Sequence, residues 1–162
     1  MQIDRIEVSV ERQELVAFDD HNTKTYRTTI ATATNGVGQE MGSECTPLGS
    51  HRIRAKIGHG LPLNTVFIGR RATGEIYSPE LSKKYPKRDW ILTRILWLCG
   101  NQVGFNRGGT VDTQRRFIYI HGAPDSHTMG QPSSHGCIKM RNSDLLTLFE
   151  FVRTGTEVNI IQ

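Results

Sequence analysis

The 162-residue sequence lacks most of the features that mark a specialised class of protein. No apolar run approaches the ~20 residues of a membrane helix, and the best candidate, Ile91 to Leu98, is interrupted by Thr93 and Arg94. Cysteine is scarce: Cys45, Cys99 and Cys137 leave at least one thiol unpaired, and no two stand at C-x-x-C spacing. That excludes a disulfide scaffold and fits a reducing compartment. There is no internal repeat, low-complexity tract or linker. Neither sign of charge dominates, with 20 Lys plus Arg against 16 Asp plus Glu. The cations are scattered apart from the pairs Arg70-Arg71, Lys83-Lys84 and Arg115-Arg116, and with aromatics at 7% no nucleic-acid platform is expected. The net charge of +4 instead favours small anionic substrates. The start, MQIDRIEVSV, has no basic segment followed by an apolar one. A cytoplasmic protein is therefore expected, or a periplasmic one should an export segment have been removed.

What is present reads as one soluble domain, residues 1–162, built mainly from strands. Ile6, Val8 and Val10 alternate with polar residues, and Leu15, Val16 and Phe18 lead into the polar turn Asp19 to Asn22. Tyr26 to Thr34, Thr65 to Ile68 and Phe117 to Ile120 read as further strands, and Ile53 and Ile57 as extended. Ile91 to Leu98 fits strand or helix equally. Tyr77 to Arg88 reads as an exposed excursion with at most a helical turn around Leu81 to Tyr85, and Asn101 to Asp112 as loop. One helix is well marked. Asn142, Ser143 or Asp144 can cap it, Leu145, Leu148, Phe149 and Val152 fall at i, i+3, i+4 and i+7, and Gly155 supplies a stop. Glu157 to Ile161 closes the chain as a strand. The expected fold is a β-sandwich or barrel with one substantial helix.

The chemistry concentrates between Tyr119 and Asn142, in YIHGAPDSHTMGQPSSHGCIKMRN. A cysteine becomes a strong nucleophile as thiolate, which a histidinium, a cation or a helix N-terminus stabilises. Cys137 has candidates for each in His121 and His135, in Lys139 and Arg141, and in the helix that follows. Gly136 allows close backbone approach, so the N–H groups of His135, Gly136 and Cys137 could converge on an oxyanion. His121, ending a strand, is the better-oriented base.

Ser134-His135-Gly136-Cys137-Ile138-Lys139-Met140, preceded by Ile120-His121-Gly122, resembles the signature of YkuD-type L,D-transpeptidases. Thr46-Pro47-Leu48-Gly49 resembles that family's TPxG turn, and Gly130-Gln131-Pro132 its loop before the signature. Asn142 and Asp144 resemble its helix start, and Gly155-Thr156 its GTxV ending. The resemblance implies a β-sandwich catalytic domain that needs no cofactor or metal and acts on peptidoglycan stem peptides, cleaving between diaminopimelate and D-Ala. It makes Cys137 the nucleophile, His121 the base, and the Gly122 carbonyl the group that fixes the imidazole tautomer. His135, Gly136 and Cys137 would supply the oxyanion N–H groups, with Ser134, Lys139 and Arg141 contacting substrate. The thioester passes either to the amine of a second stem, making a crosslink, or to water, trimming a tetrapeptide to a tripeptide as in murein recycling. Trp90 to Leu98, Asn106-Arg107-Gly108-Gly109 and Val111-Asp112-Thr113 look like the branch associated with L,D-carboxypeptidase activity, which favours water. Lys139 departs from the family's usual Arg and replaces a planar fork with a point charge.

Two rival readings stand beside this one. His121, His127, His135 and Cys137 could ligate zinc, although only His135 and Cys137 are closely spaced. A wall-peptide binder without turnover is the other. Cys45 and Cys99 read as small buried hydrophobes, His21, His51 and His59 as surface or turn residues, and His127 as a mobile loop residue. Arg94, Arg107, Arg115 and Arg116 read either as carboxylate ligands or as solvated charges.

Overall fold

A computed structural model describes all 162 residues. Strand β1 (Arg5–Ser9) buries Ile6 and Val8 and leaves the residues between them half-exposed, as the alternation requires. It turns through Gln13, in left-handed backbone at φ 50°, into β2 (Glu14–Phe18). The Gln13 amide is buried in that turn, donating to Val10 O and Thr32 Oγ1 and accepting from Thr32 N–H. At the next turn Asp19 Oδ1 accepts from the N–H groups of His21 and Thr23, and β3 (Lys24–Ala31) follows.

After the glycine-rich loop come β4 (Gly49–Ile57), β5 (Thr65–Ile68) and β6 (Arg71–Ile76). β5 and β6 form a hairpin whose two loop residues, Gly69 and Arg70, both have positive φ, the signature of a type I′ turn. Short helix α1 (Pro79–Lys84) starts on Ser78, whose Oγ accepts from Leu81 N–H, with Pro79 opening the first turn. The helix thus begins two residues before the expected Leu81.

β7 (Ile91–Gly100) resolves the ambiguous apolar run as strand. Almost every residue is buried because both faces are covered, α2 packing on one, and that gives a continuous run instead of alternation. A single 3₁₀ turn (Gly109–Val111) precedes β8 (Tyr119–Ala123). β8 starts two residues later than expected, because Phe117 adopts φ 56° in a turn. β9 (Ile138–Arg141), α2 (Asn142–Phe151) and β10 (Glu157–Ile161) complete the chain.

Eight strands pair in the order β4-β10-β1-β2-β3-β9-β8-β7, and β7 pairs back to β4, so the ladder closes on itself without a free edge. The β5–β6 hairpin hangs from the first residues of β7. Inside lies a core of 20 buried residues that includes Leu145, Leu148, Phe149 and Val152 of the helical stripe. The helix ends differently from the sequence expectation. Lys56 Nζ donates to Phe149 O and Val152 O and terminates it at Phe151, before Gly155 is reached. No residue's side chain caps its N-terminus: the cap position is Arg141. Asp144 accepts from Thr28 Oγ1 at 2.6 Å and Tyr26 OH at 3.0 Å, pinning the first turn to β3. No helix is long and apolar enough to cross a membrane.

Candidate active site

β8 and β9 run parallel with His121 opposite Lys139, and this pairing assembles the site. A cavity of about 350 Å³ takes its wall from His121, Ser134, His135, Cys137 and Lys139. Gly69, Arg70, Asp89, Ile91, Phe117 and Tyr119 complete it, and none of these six was singled out for the site from sequence. The type I′ Gly69-Arg70 pair was the available signal for Arg70. Its guanidinium stands 4.7 Å from the ring centroids of both Trp97 and Phe117 and donates to Tyr119 OH at 2.9 Å.

His121 is buried at 1% exposure, and its Nδ1 lies 2.7 Å from the Gly122 carbonyl oxygen. A carbonyl can only accept, so Nδ1 carries the proton and Nε2 keeps a free lone pair. Burial holds the imidazole below its ordinary 6.5, against the opposing pull of that bond. Burial likewise pushes the Cys137 thiol up to about 12, although the Tyr119 N–H donates to Sγ at 3.3 Å and Lys139 and Arg116 act in the other direction. Sγ–H donates to Phe117 O at 3.4 Å and makes no hydrogen bond to His121. Burial thus disfavours the charged form of both groups, in the opposite sense to the thiolate-favouring neighbours expected from sequence. The helix dipole does not change this. All four residues of β9 separate Cys137 from α2, roughly 13 Å of strand, and the dipole acts within about one turn.

The turn carrying Cys137 is held from three sides. Gly136 has φ 130°, and a Cβ there would meet Ile118 Cδ1 at 3.0 Å and Cys45 O at 3.2 Å, so only glycine fits without displacement. Thr46 Oγ1, fully buried, donates to Gly136 O at 2.9 Å and accepts from Ala33 N–H at 3.0 Å. Arg116 reinforces the adjoining segment through Cys45 O at 2.7 Å and Gly38 O at 3.1 Å.

Several sequence expectations change here. Ser134 Oγ donates to Cys137 O and accepts from Gly136 N–H, so its hydroxyl clamps the turn. Gly136 N–H is consequently engaged, whereas the N–H groups of His135 and Cys137 have no acceptor and remain available. Arg141 is exposed, pairs with Asp144 at 3.7 Å and lies off the cavity wall. Lys139 is buried on that wall with Nζ donating to Ser133 O at 3.2 Å. His127 is not a free loop residue, since its Nε2 lies 2.7 Å from Ser133 Oγ. His51 is completely buried, its Nδ1 donating to Gly49 O and its Nε2 meeting Thr113 Oγ1, both at 2.9 Å. Arg94 is buried against Leu61 O and Thr93 O, which removes it as a substrate ligand. The zinc reading fails on geometry, because no three His, Cys, Asp or Glu side chains are arranged to hold one ion. A second cavity of about 470 Å³, bordered by Asn64, Lys83 and Asp125, contains none of the site residues expected from sequence.

The model of the YkuD L,D-transpeptidase catalytic domain matches residues 3–160. The chain belongs to that family. A stretch of 46 residues is 44% identical to "Probable L,D-transpeptidase YbiS" of Escherichia coli; it is 28% of this chain and only 15% of that protein. Among solved structures, the L,D-transpeptidase of Xylanimonas cellulosilytica superposes with a TM-score of 0.61 at 14% identity, covering 99% of this chain and 61% of that one. The L,D-transpeptidase of Stackebrandtia nassauensis gives 0.55 at 18%, covering 99% and 56%. LdtMt1, solved in complex with imipenem, gives 0.57 at 15%, covering 96% and 57%. These likenesses establish that this L,D-transpeptidase domain shares their mainly β fold, and that it spans about three-fifths of the structures it matches.

Proposed function

We propose that this L,D-transpeptidase domain is a cysteine acyltransferase that cleaves the diaminopimelate–D-Ala bond of peptidoglycan stem peptides and prefers water as acceptor. One observation carries the reading. Cys137 and His121 face one cavity, and the only side-chain hydrogen bond of His121 commits Nδ1 and leaves Nε2 free.

In this mechanism substrate binding turns Sγ–H from Phe117 O toward Nε2, and the proton passes to the imidazole as sulfur attacks the scissile carbonyl. The oxyanion is received by the N–H groups of His135 and Cys137. His121 then protonates the departing amine of D-Ala, leaving a thioester on Sγ. Water, deprotonated by the same Nε2, releases the tripeptide carboxylate and restores the thiol. The Gly122 carbonyl stabilises the transient imidazolium through Nδ1–H. The cavity bears both signs of charge, Lys139 and Arg70 against Asp89, which suits a peptide carrying carboxylates and an amine.

The preference for water rests on the resemblance of the Trp90 to Leu98 and Asn106 to Thr113 segments to carboxypeptidase-type members. Incubation with disaccharide-tetrapeptide, read by mass spectrometry, decides it: loss of D-Ala alone is expected, whereas dimeric muropeptide assigns crosslinking. Neither product would favour a binder without turnover.

A further inference from the structure

We infer that Asn142 is a positioning residue for His121: its side-chain amide fixes the end of β8 and so aims the Gly122 carbonyl at Nδ1. Asn142 opens α2, where a polar residue ordinarily caps the helix from outside. Here the side chain turns inward instead and is 1% exposed. Its Oδ1 accepts from Thr93 Oγ1 at 2.6 Å. Its Nδ2 donates to Ala123 O at 2.8 Å and reaches Asn64 Oδ1 and Asp125 Oδ1 at 3.1 Å. The amide is therefore saturated by β7, β8 and two loops, each of its polar atoms partnered even though it is buried.

Two further observations locate its target. The Cβ that Gly122 lacks would collide with Asn142 Oδ1 and would also lie 2.6 Å from Leu92 O, so the amide oxygen sits against the residue whose carbonyl holds His121. Thr93, which feeds the amide, sits in left-handed backbone at φ 74°, inside the irregularity between Leu92 and Ile95 where β7 pairs with β8. A β-branched residue pays for that conformation, and strain of this kind persists where surrounding contacts over-determine it. Here those contacts are the two bonds of Thr93 Oγ1, to Asn142 Oδ1 and from Asn64 N–H at 3.1 Å. Bulge, amide and strand end thus form one connected support for a peptide plane on which the imidazole depends.

The inference rests on His121 being the base, and its test separates the two. In ¹⁵N-labelled protein the imidazole of His121 reports tautomer and titration without any substrate. Asn142→Ala removes the whole amide. Asn142→Asp keeps the acceptor for Thr93 but loses the donor to Ala123 O. Thr93→Val, isosteric, removes only the hydroxyl.

Both Asn142 variants are expected to mix the Nδ1–H and Nε2–H tautomers; Asn142→Ala should also move the titration to lower pH, since the Gly122 bond favours the protonated ring, whereas the new carboxyl of Asn142→Asp opposes that shift, so its readout is the tautomer alone. Thr93→Val should follow Asn142→Ala in part. The other charged groups facing His121, namely Asp89, Lys139, His127 and the Cys137 thiol, are unchanged in all three, and Asn142→Asp alone adds a carboxyl beside Gly122. With tetrapeptide, kcat should fall at least about tenfold while KM stays within about twofold, as for a displaced reacting group. Leu148→Ala, which opens the core under α2 away from the amide, should lower stability without moving tautomer or titration. A wild-type imidazole spectrum in Asn142→Ala, or in Thr93→Val should the Asn142 variants not fold, overturns the positioning role. A shifted spectrum in protein whose wild type turns over no stem peptide upholds the positioning and rejects the function.

Discussion

Acid stability is set in part by His51, which has no place in the proposed chemistry. Complete burial lowers its imidazole from 6.5 to about 4, with Gly49 O pulling weakly the other way. The unfolded chain therefore binds a proton that the folded chain refuses. Its contribution is full above the unfolded value of 6.5 and is lost as pH falls from 6.5 toward about 4. At 1.36 kcal/mol per pKa unit the limit is about 3.4 kcal/mol, of which about 2 kcal/mol is gone by pH 5. Urea denaturation of the wild type and His51→Asn at pH 7.5 and pH 5 isolates this from other titrations. The variant costs stability at pH 7.5, because Thr113 and Gly49 lose a partner, but the gap should shrink by about 2 kcal/mol at pH 5. An unchanged gap would refute the reasoning. The same loss bounds the pH range over which activity reports on the catalytic pair alone.

Other predictions concern the site. Cys137→Ala should abolish turnover and His121→Ala should lower it by ~10²–10⁴-fold with the fold retained by circular dichroism; wild-type rates in either overturn the assignment. Without substrate, Cys137 held up to about 12 should react with iodoacetamide at pH 8 roughly 30–100-fold more slowly than an ordinary thiol, the scarcer thiolate being partly offset by its greater nucleophilicity. Rapid alkylation would mean a thiolate pair at rest. Gly136→Ala should cost about 1–3 kcal/mol in chemical denaturation and most of the activity, because φ 130° and Cys45 O leave no room for Cβ. Thr46→Val should cost about 1–3 kcal/mol, since it orphans Ala33 N–H and Gly136 O in a buried place. Equal thermal unfolding of Thr46→Val and wild type would contradict that.

The strands with one exposed face were legible because alternation survives in β1, and the Leu145, Leu148, Phe149 and Val152 stripe marked α2. β7 was not, since burial on both faces erases the period that separates strand from helix. β6 was missed altogether: Arg71 to Glu75 is polar, lies outside the closed ladder and exists by pairing with β5. At the site, sequence placed Cys137, His121, Lys139 and His135 on one wall because signature residues sit close in the chain. Ser134 lines that wall too, where its hydroxyl bonds Cys137 O, and Arg141 pairs with Asp144 at the end of β9; no local pattern showed those contacts. Arg70, Asp89 and the inward turn of Asn142 depend on contacts between elements far apart in sequence, which no local pattern encodes.

The central claim is that Cys137 Sγ forms a thioester with a stem-peptide acyl group. Intact-protein mass spectrometry after rapid acid quench from disaccharide-tetrapeptide, followed by peptide mapping, tests it directly, with a carbapenem as a slower-released acylating probe. The account predicts an adduct on the peptide containing Cys137, equal to the tetrapeptide muropeptide less D-Ala, absent from Cys137→Ala and indifferent to chelator. Release of D-Ala with no adduct on Cys137, or turnover that survives alkylation of Cys137 and dies with chelator, would contradict it.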